Sequence, residues 1–117
     1  MKVSLISTVK DASAHIEEWA GSVAAQTRQP DEVIVVDGGS TDGTPELLRR
    51  ATGDSFTVIE ERDANIARGR NLALAAAAHD VIAVTDADCV LDGQWLERIL
   101  EPIEAGADVS MGFYVPI

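Results

Sequence analysis

The chain has 117 residues, of which 46% are hydrophobic and 25% are charged, and its formal net charge is −11. The length fits one compact domain and the apolar content excludes a disordered chain, so we expect residues 1–117 to form a single domain. Twenty acidic against nine basic side chains argue against binding to nucleic acid or to an anionic membrane, because both depend on basic surface. An anionic ligand would need a local basic pocket or a bound cation.

The single cysteine, Cys89, can form no disulfide within the chain. No apolar run reaches the length of a membrane span or of a signal segment. We therefore expect a soluble, cytoplasmic protein.

Short apolar runs alternate with helical patterns. The runs predicted as strands are Val3–Ile6, Val33–Val36, Phe56–Ile59, Val81–Val84 and Val109–Val115. The predicted helices cover about Ala14–Gln26, Thr44–Gly53, Asn65–Ala78 and Asp92–Pro102. Thr44, Asn65 and Asp92 are candidate N-caps, and Pro102 should kink or end the last helix. Alternation of this kind with short connections predicts an α/β fold, with a mostly parallel sheet between two layers of helices.

Polar residues cluster where the predicted strands end. Thr8 follows the first strand, Asp37 the second, Glu60 and Glu61 the third, and Asp86 the fourth. In open α/β sheets ligands bind beyond the carboxyl ends of the strands, near the point where the strand order reverses. We expect one crevice there.

Asp86 and Asp88 are two residues apart, so in extended chain both carboxylates face the same side. Two hard oxygen ligands with open positions suit Mg²⁺ or Mn²⁺ bridging a diphosphate. The alternative is that both aspartates only build a turn before Asp92.

Asp37 begins a glycine-rich turn that runs to Thr44. Gly39 would let the backbone approach a ligand, and Asp37 could accept hydrogen bonds from a ribose or a base. An ordinary strand-to-helix turn is the alternative. Arg68 and Arg70 begin a helix, where an anion could bind, but residues two apart on a helix cannot share one face.

Six segments resemble the family 2 glycosyltransferases in order and spacing. They are Gln26–Thr27, Asp31–Thr44, Ala67–Asn71, Val84–Cys89, Leu91–Asp92 and Trp95–Leu96. The resemblance covers essentially the whole chain and implies a Rossmann-like GT-A fold. It also implies metal-dependent, inverting transfer of a sugar from a nucleoside-diphosphate-sugar donor to an unknown acceptor.

The resemblance implies roles for individual residues. Thr8 and Asp37 would contact the nucleotide base and ribose, and Arg70 would lie near the base or the phosphates. Asp88 would be the main ligand of the metal, with Asp86 nearer the ribose and the sugar. The metal would act as a Lewis acid on the leaving nucleoside diphosphate.

The chain departs from the family pattern in three respects. Ser7–Lys10 stands where relatives commonly carry Pro-x-Tyr-Asn, so an aromatic wall for the base is missing. Gly38 stands where many members have a second Asp. The family places its catalytic base and its acceptor-binding segments after the fifth strand, so we expect a domain truncated there, with both features beyond Ile117.

Two other functions are open. The first is a non-catalytic nucleotide- or nucleotide-sugar-binding module, completed by homodimerisation or by another chain. The second is a phosphatase of the haloacid dehalogenase type that uses Asp86 and Asp88. It is less favoured, because such enzymes need a downstream lysine and no lysine follows Lys10.

Overall fold

The fold is described by a computed structural model that covers residues 1–112. In this part of the chain the strands are β1 (Val3–Val9), β2 (Glu32–Asp37), β3 (Thr57–Glu60) and β4 (Val81–Val84). The helices are α1 (Ile16–Ala24), α2 (Thr44–Thr52), α3 (Ile66–Ala76) and α4 (Trp95–Glu104). The predicted alternation of the first four strands with four helices is confirmed.

The strands form a parallel sheet in the order β3-β2-β1-β4. Ile6 of β1 lies opposite Ile34 of β2 on one edge and opposite Val84 of β4 on the other. The chain therefore moves outward from β1 to β3 and then returns to the other side of β1. The strand order reverses between β1 and β4, which is where open α/β sheets bind ligands.

Helices cover both faces of the sheet and give three layers. One face carries the larger apolar cluster, which includes Leu5 and Val35 of the sheet with Trp19 of α1, Leu48 of α2 and Leu96 of α4. On the other face Ala73 of α3 packs on residues of β1 and β2, namely Ile6, Ile34 and Val36. The uninterrupted β-branched run of β2 is explained by this arrangement, because both of its faces are buried.

The helix N-termini differ from the predictions at two of three positions. Asn65 caps α3, since its Oδ1 accepts from the backbone N–H of Arg68 at 2.8 Å. The prediction for Thr44 is wrong, because Gly43 is the N-cap of α2 in a left-handed conformation (φ 85°). The Thr44 hydroxyl instead donates to Asp42 and accepts from the backbone N–H of Ala12.

The prediction that Asp92 caps α4 is also wrong. The N-cap is Gln94, and the Asp92 carboxylate accepts from the Gln94 backbone N–H at 2.9 Å in the turn before the helix. Pro102 lies inside α4, which continues to Glu104, so the proline does not end the helix.

The predicted fifth strand, Val109–Val115, falls partly outside the described residues, and residues 109–112 belong to no strand. Among residues 1–112, no helix combines the length and the apolar character needed to cross a membrane.

Gln26 connects α1 to the start of α4. Its side chain is buried, and its Nε2 donates to the carbonyls of Ser22 at 3.1 Å and Asp92 at 2.7 Å. Its Oε1 accepts from the backbone N–H of Leu96 at 3.0 Å. One buried amide therefore fixes the chain between the Asp86–Asp88 pair and α4.

We expect Gln26→Leu to lower the free energy of unfolding by about 2 kcal/mol, because it leaves buried backbone groups without partners. Urea denaturation measures this loss. Gln94→Leu is the control, since Gln94 is exposed and its Oε1 accepts from the exposed side chain of Arg98. It should cost less than about 0.5 kcal/mol. Equal losses in the two variants would contradict the role of the Gln26 amide in joining α1 to the start of α4.

Candidate functional site

A cleft of about 810 Å³ lies at the carboxyl ends of β1 and β4, where the strand order reverses. Four stretches of chain contribute to it: the end of β1 with the loop after it, the end of β2 with Gly38, the start of α3 with the two residues before it, and the loop after β4. The lining residues are Thr8, Val9, Lys10, Ala12, Val36, Gly38, Ala64, Asn65, Ile66, Ala67, Gly69, Asp86, Ala87 and Asp88.

The structure brings Asp86 and Asp88 to one wall of this cleft. Both are exposed, whereas Ala87 between them is 4% exposed, so the two aspartates share the open side. Their position is fixed by Thr85, whose N–H donates to the carbonyl of Ile6 at 3.3 Å and whose carbonyl accepts from the Ser7 hydroxyl at 2.6 Å. The bonds between β1 and the β4 segment thus continue to the residue before the pair.

The Asp86–Asp88 pair could supply only part of a metal's coordination shell. Among residues 1–112, no group of three or more His, Cys, Asp or Glu side chains is placed to hold a metal ion. Mg²⁺ ordinarily binds through one or two carboxylates, completing its shell with water and substrate phosphates. The donor set of the pair fits a divalent cation shared with a bound phosphate compound.

Thr8 and α3 meet closely at the base of the cleft. A Cβ on Gly69 would lie 2.9 Å from the Thr8 Cγ2 atom, so the helix approaches β1 this closely because residue 69 has no side chain. This packing brings Ile66 and Ala67, at the N-terminus of α3, into the lining. Backbone N–H groups in a first helical turn have no partner within the helix and attract anions.

Asp37 and Gly39 lie in the turn after β2 and are not among the lining residues. Asp37 is 1% exposed. Its Oδ1 accepts from the backbone N–H groups of Gly39 and Ser40 at 2.9 and 2.8 Å, and its Oδ2 accepts from the Ser40 hydroxyl at 2.6 Å. The carboxylate thus holds its own turn in shape, with Gly39 at a φ of 106°.

The arginines that the sequence singled out also lie away from the cleft lining. Arg70 is exposed on α3, and Arg68 forms an ion pair with Glu61 at 3.3 Å. The basic residue in the lining is Lys10, which sequence reasoning did not select. Its place directly after a buried strand end was the available signal.

Three hydrogen bonds join the loop after β1 to the loop after β2. The Asp11 N–H donates to the Ser40 hydroxyl at 2.7 Å, and the Asp11 carboxylate accepts from the Thr41 N–H at 2.8 Å. Asp42 accepts from the Ser13 N–H at 3.0 Å. The Thr44 hydroxyl, and then the Ser13 N–H, lower the pKa of Asp42 to about 2, so this carboxylate stays ionised and available as an acceptor at neutral pH.

Gly38 is the point at which the loops after β1, β2 and β3 come together. Its N–H donates to the Val9 carbonyl at 2.9 Å, and a Cβ on it would lie 2.6 Å from the Ala64 carbonyl oxygen. A backbone atom cannot move aside as a flexible side chain can. The absence of a second aspartate at this position therefore has a steric reason in this chain.

A parallel sheet of this order, with a carboxylate pair at the point of reversal and a glycine turn after the neighbouring strand β2, defines a Rossmann-like α/β domain of the GT-A type. Residues 4–117 match the family model described as Glycosyl transferase family 2, and the chain belongs to that family. Membership of this family disfavours the phosphatase alternative.

Curated and structural relatives agree with this assignment. Glycosyltransferase AglE of Haloferax volcanii is 33% identical over 94% of this chain, which spans 38% of AglE. TarS 1–349 of S. aureus, solved in complex with UDP, has a TM-score of 0.73 and is 25% identical. The match covers 90% of this chain and 32% of the TarS chain. The mannosyltransferase PcManGT of Pyrobaculum calidifontis, solved with GDP-Man and Mn²⁺, has a TM-score of 0.64 and is 32% identical. The match covers 74% of this chain and 27% of the PcManGT chain.

We expect Gly38→Ala to destabilise the fold by about 1–3 kcal/mol, because the added methyl overlaps the Ala64 carbonyl and forces the loops apart. Gly21→Ala is the matched control: it lies in α1 with open space around it and should stabilise the protein by about 0.5–1 kcal/mol. Urea denaturation measures both. A Gly38→Ala variant as stable as the parent chain would contradict the close packing of these loops.

Proposed function

We propose that this chain binds the nucleoside-diphosphate part of a sugar donor in the cleft, together with Mg²⁺ or Mn²⁺, as part of a glycosyltransferase. The carrying observation is that Asp86 and Asp88 line the same cleft as Thr8 and the first turn of α3. Family membership supports the proposal, as do the UDP bound to TarS and the GDP-Man and Mn²⁺ bound to PcManGT.

The proposed division of roles follows the position of each group. Asp88 is the main ligand of the metal, and Asp86 lies nearer the ribose and the sugar. Thr8, half-buried at the end of β1, contacts the nucleoside. When bound, the metal supplies positive charge that stabilises the leaving diphosphate. Because the pair offers few ligands, we expect the metal and the nucleotide to bind more tightly together than separately.

For Asp37, Gly39 and Arg70 the role is less direct. The Asp37 carboxylate already accepts bonds from its own turn, so in this proposal it acts first by shaping that turn. None of the three lines the cleft. The predicted contacts of Asp37 and Gly39 with the nucleotide would require the loop after β2 to close on the ligand, and that of Arg70 would require its long side chain to reach the ligand from α3.

We propose an inverting transfer for the full enzyme. The acceptor hydroxyl oxygen would attack the anomeric carbon of the donor, the bond to the diphosphate oxygen would break, and the nucleoside diphosphate would leave. The hydroxyl proton would pass to a carboxylate base, which we expect beyond Ile117. The residues of this chain bind and orient the donor in this scheme.

We expect Asp88→Asn to weaken binding of UDP or GDP in the presence of Mn²⁺ by about tenfold or more, because it removes the main metal ligand. Isothermal titration with Mn²⁺ and with EDTA measures the effect, and the difference between the two conditions should disappear in the variant. Asp80→Asn is the control, since Asp80 is exposed just before β4, at the opposite end of the sheet.

If Asp88→Asn binds UDP or GDP with Mn²⁺ as tightly as the parent chain does, the proposed metal site is wrong. Hydrolysis of UDP- and GDP-sugars is measured in parallel. Metal-dependent nucleotide binding without turnover would favour the binding module over an enzyme for this chain by itself.

A further inference from the structure

Lys10 is the cationic side chain among the residues that line the cleft. It is exposed, and the ion pairs formed within residues 1–112 all involve arginines elsewhere on the surface. A cation at this point is notable in a chain with a net charge of −11. The mechanism proposed above gives it no role.

The backbone on both sides of Lys10 is held in place. The carbonyl of Val9 accepts from the Gly38 N–H at 2.9 Å, and the Asp11 N–H donates to the Ser40 hydroxyl at 2.7 Å. Asp11 has a φ of 50°, a left-handed conformation that a non-glycine residue adopts at a cost in free energy. The chain thus turns sharply after Lys10 and leaves its side chain at the cleft.

The balance of charge in the cleft indicates what Lys10 could bind. Asp86 and Asp88 bring negative charge to the cleft, and a divalent cation bound there offsets only the pair itself. A diphosphate carries further negative charge, which still needs a partner in an acidic protein. A lysine ammonium is a compact charge with three donors and binds phosphate well.

We propose that Lys10 binds the diphosphate of the donor directly. This inference rests on the proposed function and deepens it: the donor is held between a carboxylate-bound cation and an ammonium group. It assigns to Lys10 a phosphate contact, whereas the family resemblance implied that Arg70 would lie near the base or the phosphates.

The test uses Lys10→Met, with Lys2→Met as the matched control. Lys2 is the chain's other lysine, is exposed, and lies before β1 at the opposite end of the sheet. In isothermal titration with Mn²⁺ present, we expect Lys10→Met to weaken binding of UDP and of inorganic pyrophosphate by about tenfold. It should also lessen the dependence of UDP affinity on salt. Lys10→Arg should restore most of the affinity, and Lys2→Met should bind as the parent chain does.

The outcomes separate the two proposals. If Asp88→Asn weakens UDP binding but Lys10→Met matches Lys2→Met, the role of Lys10 is wrong and the proposed function stands. If Lys10→Met weakens uridine as much as UDP, Lys10 contacts the nucleoside and the phosphate assignment is overturned. If the parent chain binds neither UDP nor GDP, both proposals fail. Urea denaturation of each variant shows whether a loss of binding reflects a loss of folding.

Discussion

The pairing of β1 with a parallel neighbour along each edge is the constraint on which the site depends. Ile6 lies opposite Ile34 in β2 and opposite Val84 in β4, so β1 is the strand at which the order of the sheet reverses. The loops that directly follow β1 and β4 both line the cleft at this point of reversal. This topology explains why the Asp86–Asp88 pair and Lys10 lie at the same cleft, because each comes directly after one of these two strands.

Two glycines then decide how closely the walls of the cleft approach each other. Gly69 lets α3 lie against Thr8, and Gly38 lets the loop after β2 lie against the Ala64 carbonyl. Two hydrogen bonds join the loops after β1 and β2: the Asp11 N–H donates to the Ser40 hydroxyl, and the Thr41 N–H donates to the Asp11 carboxylate. The result is a cleft in which two carboxylates, one ammonium group and a helix N-terminus are held by backbone packing.

The layers and the sheet could be predicted because their signals are local: the β-branched run of β2 is buried on both faces, as its composition indicates. The Asn65 cap could be predicted for the same reason. The local signals gave the wrong N-cap for α2, because the Thr44 hydroxyl is hydrogen-bonded to Asp42 and to Ala12 in the loop after β1, which is distant in sequence. The position of Lys10 likewise depends on bonds between two loops. For Asp37, sequence pattern alone could not show that its own turn uses the carboxylate.

The central claim is that the cleft between β1 and β4 holds a divalent cation and a nucleoside diphosphate together. Paramagnetic broadening of backbone amide signals by substoichiometric Mn²⁺, with UDP or GDP present, tests it most directly. The account predicts selective broadening of residues 86–88 and 64–67, with residues 78–81 at the opposite end of the sheet unaffected. Broadening centred on residues 78–81, or equal broadening with and without nucleotide, would contradict it.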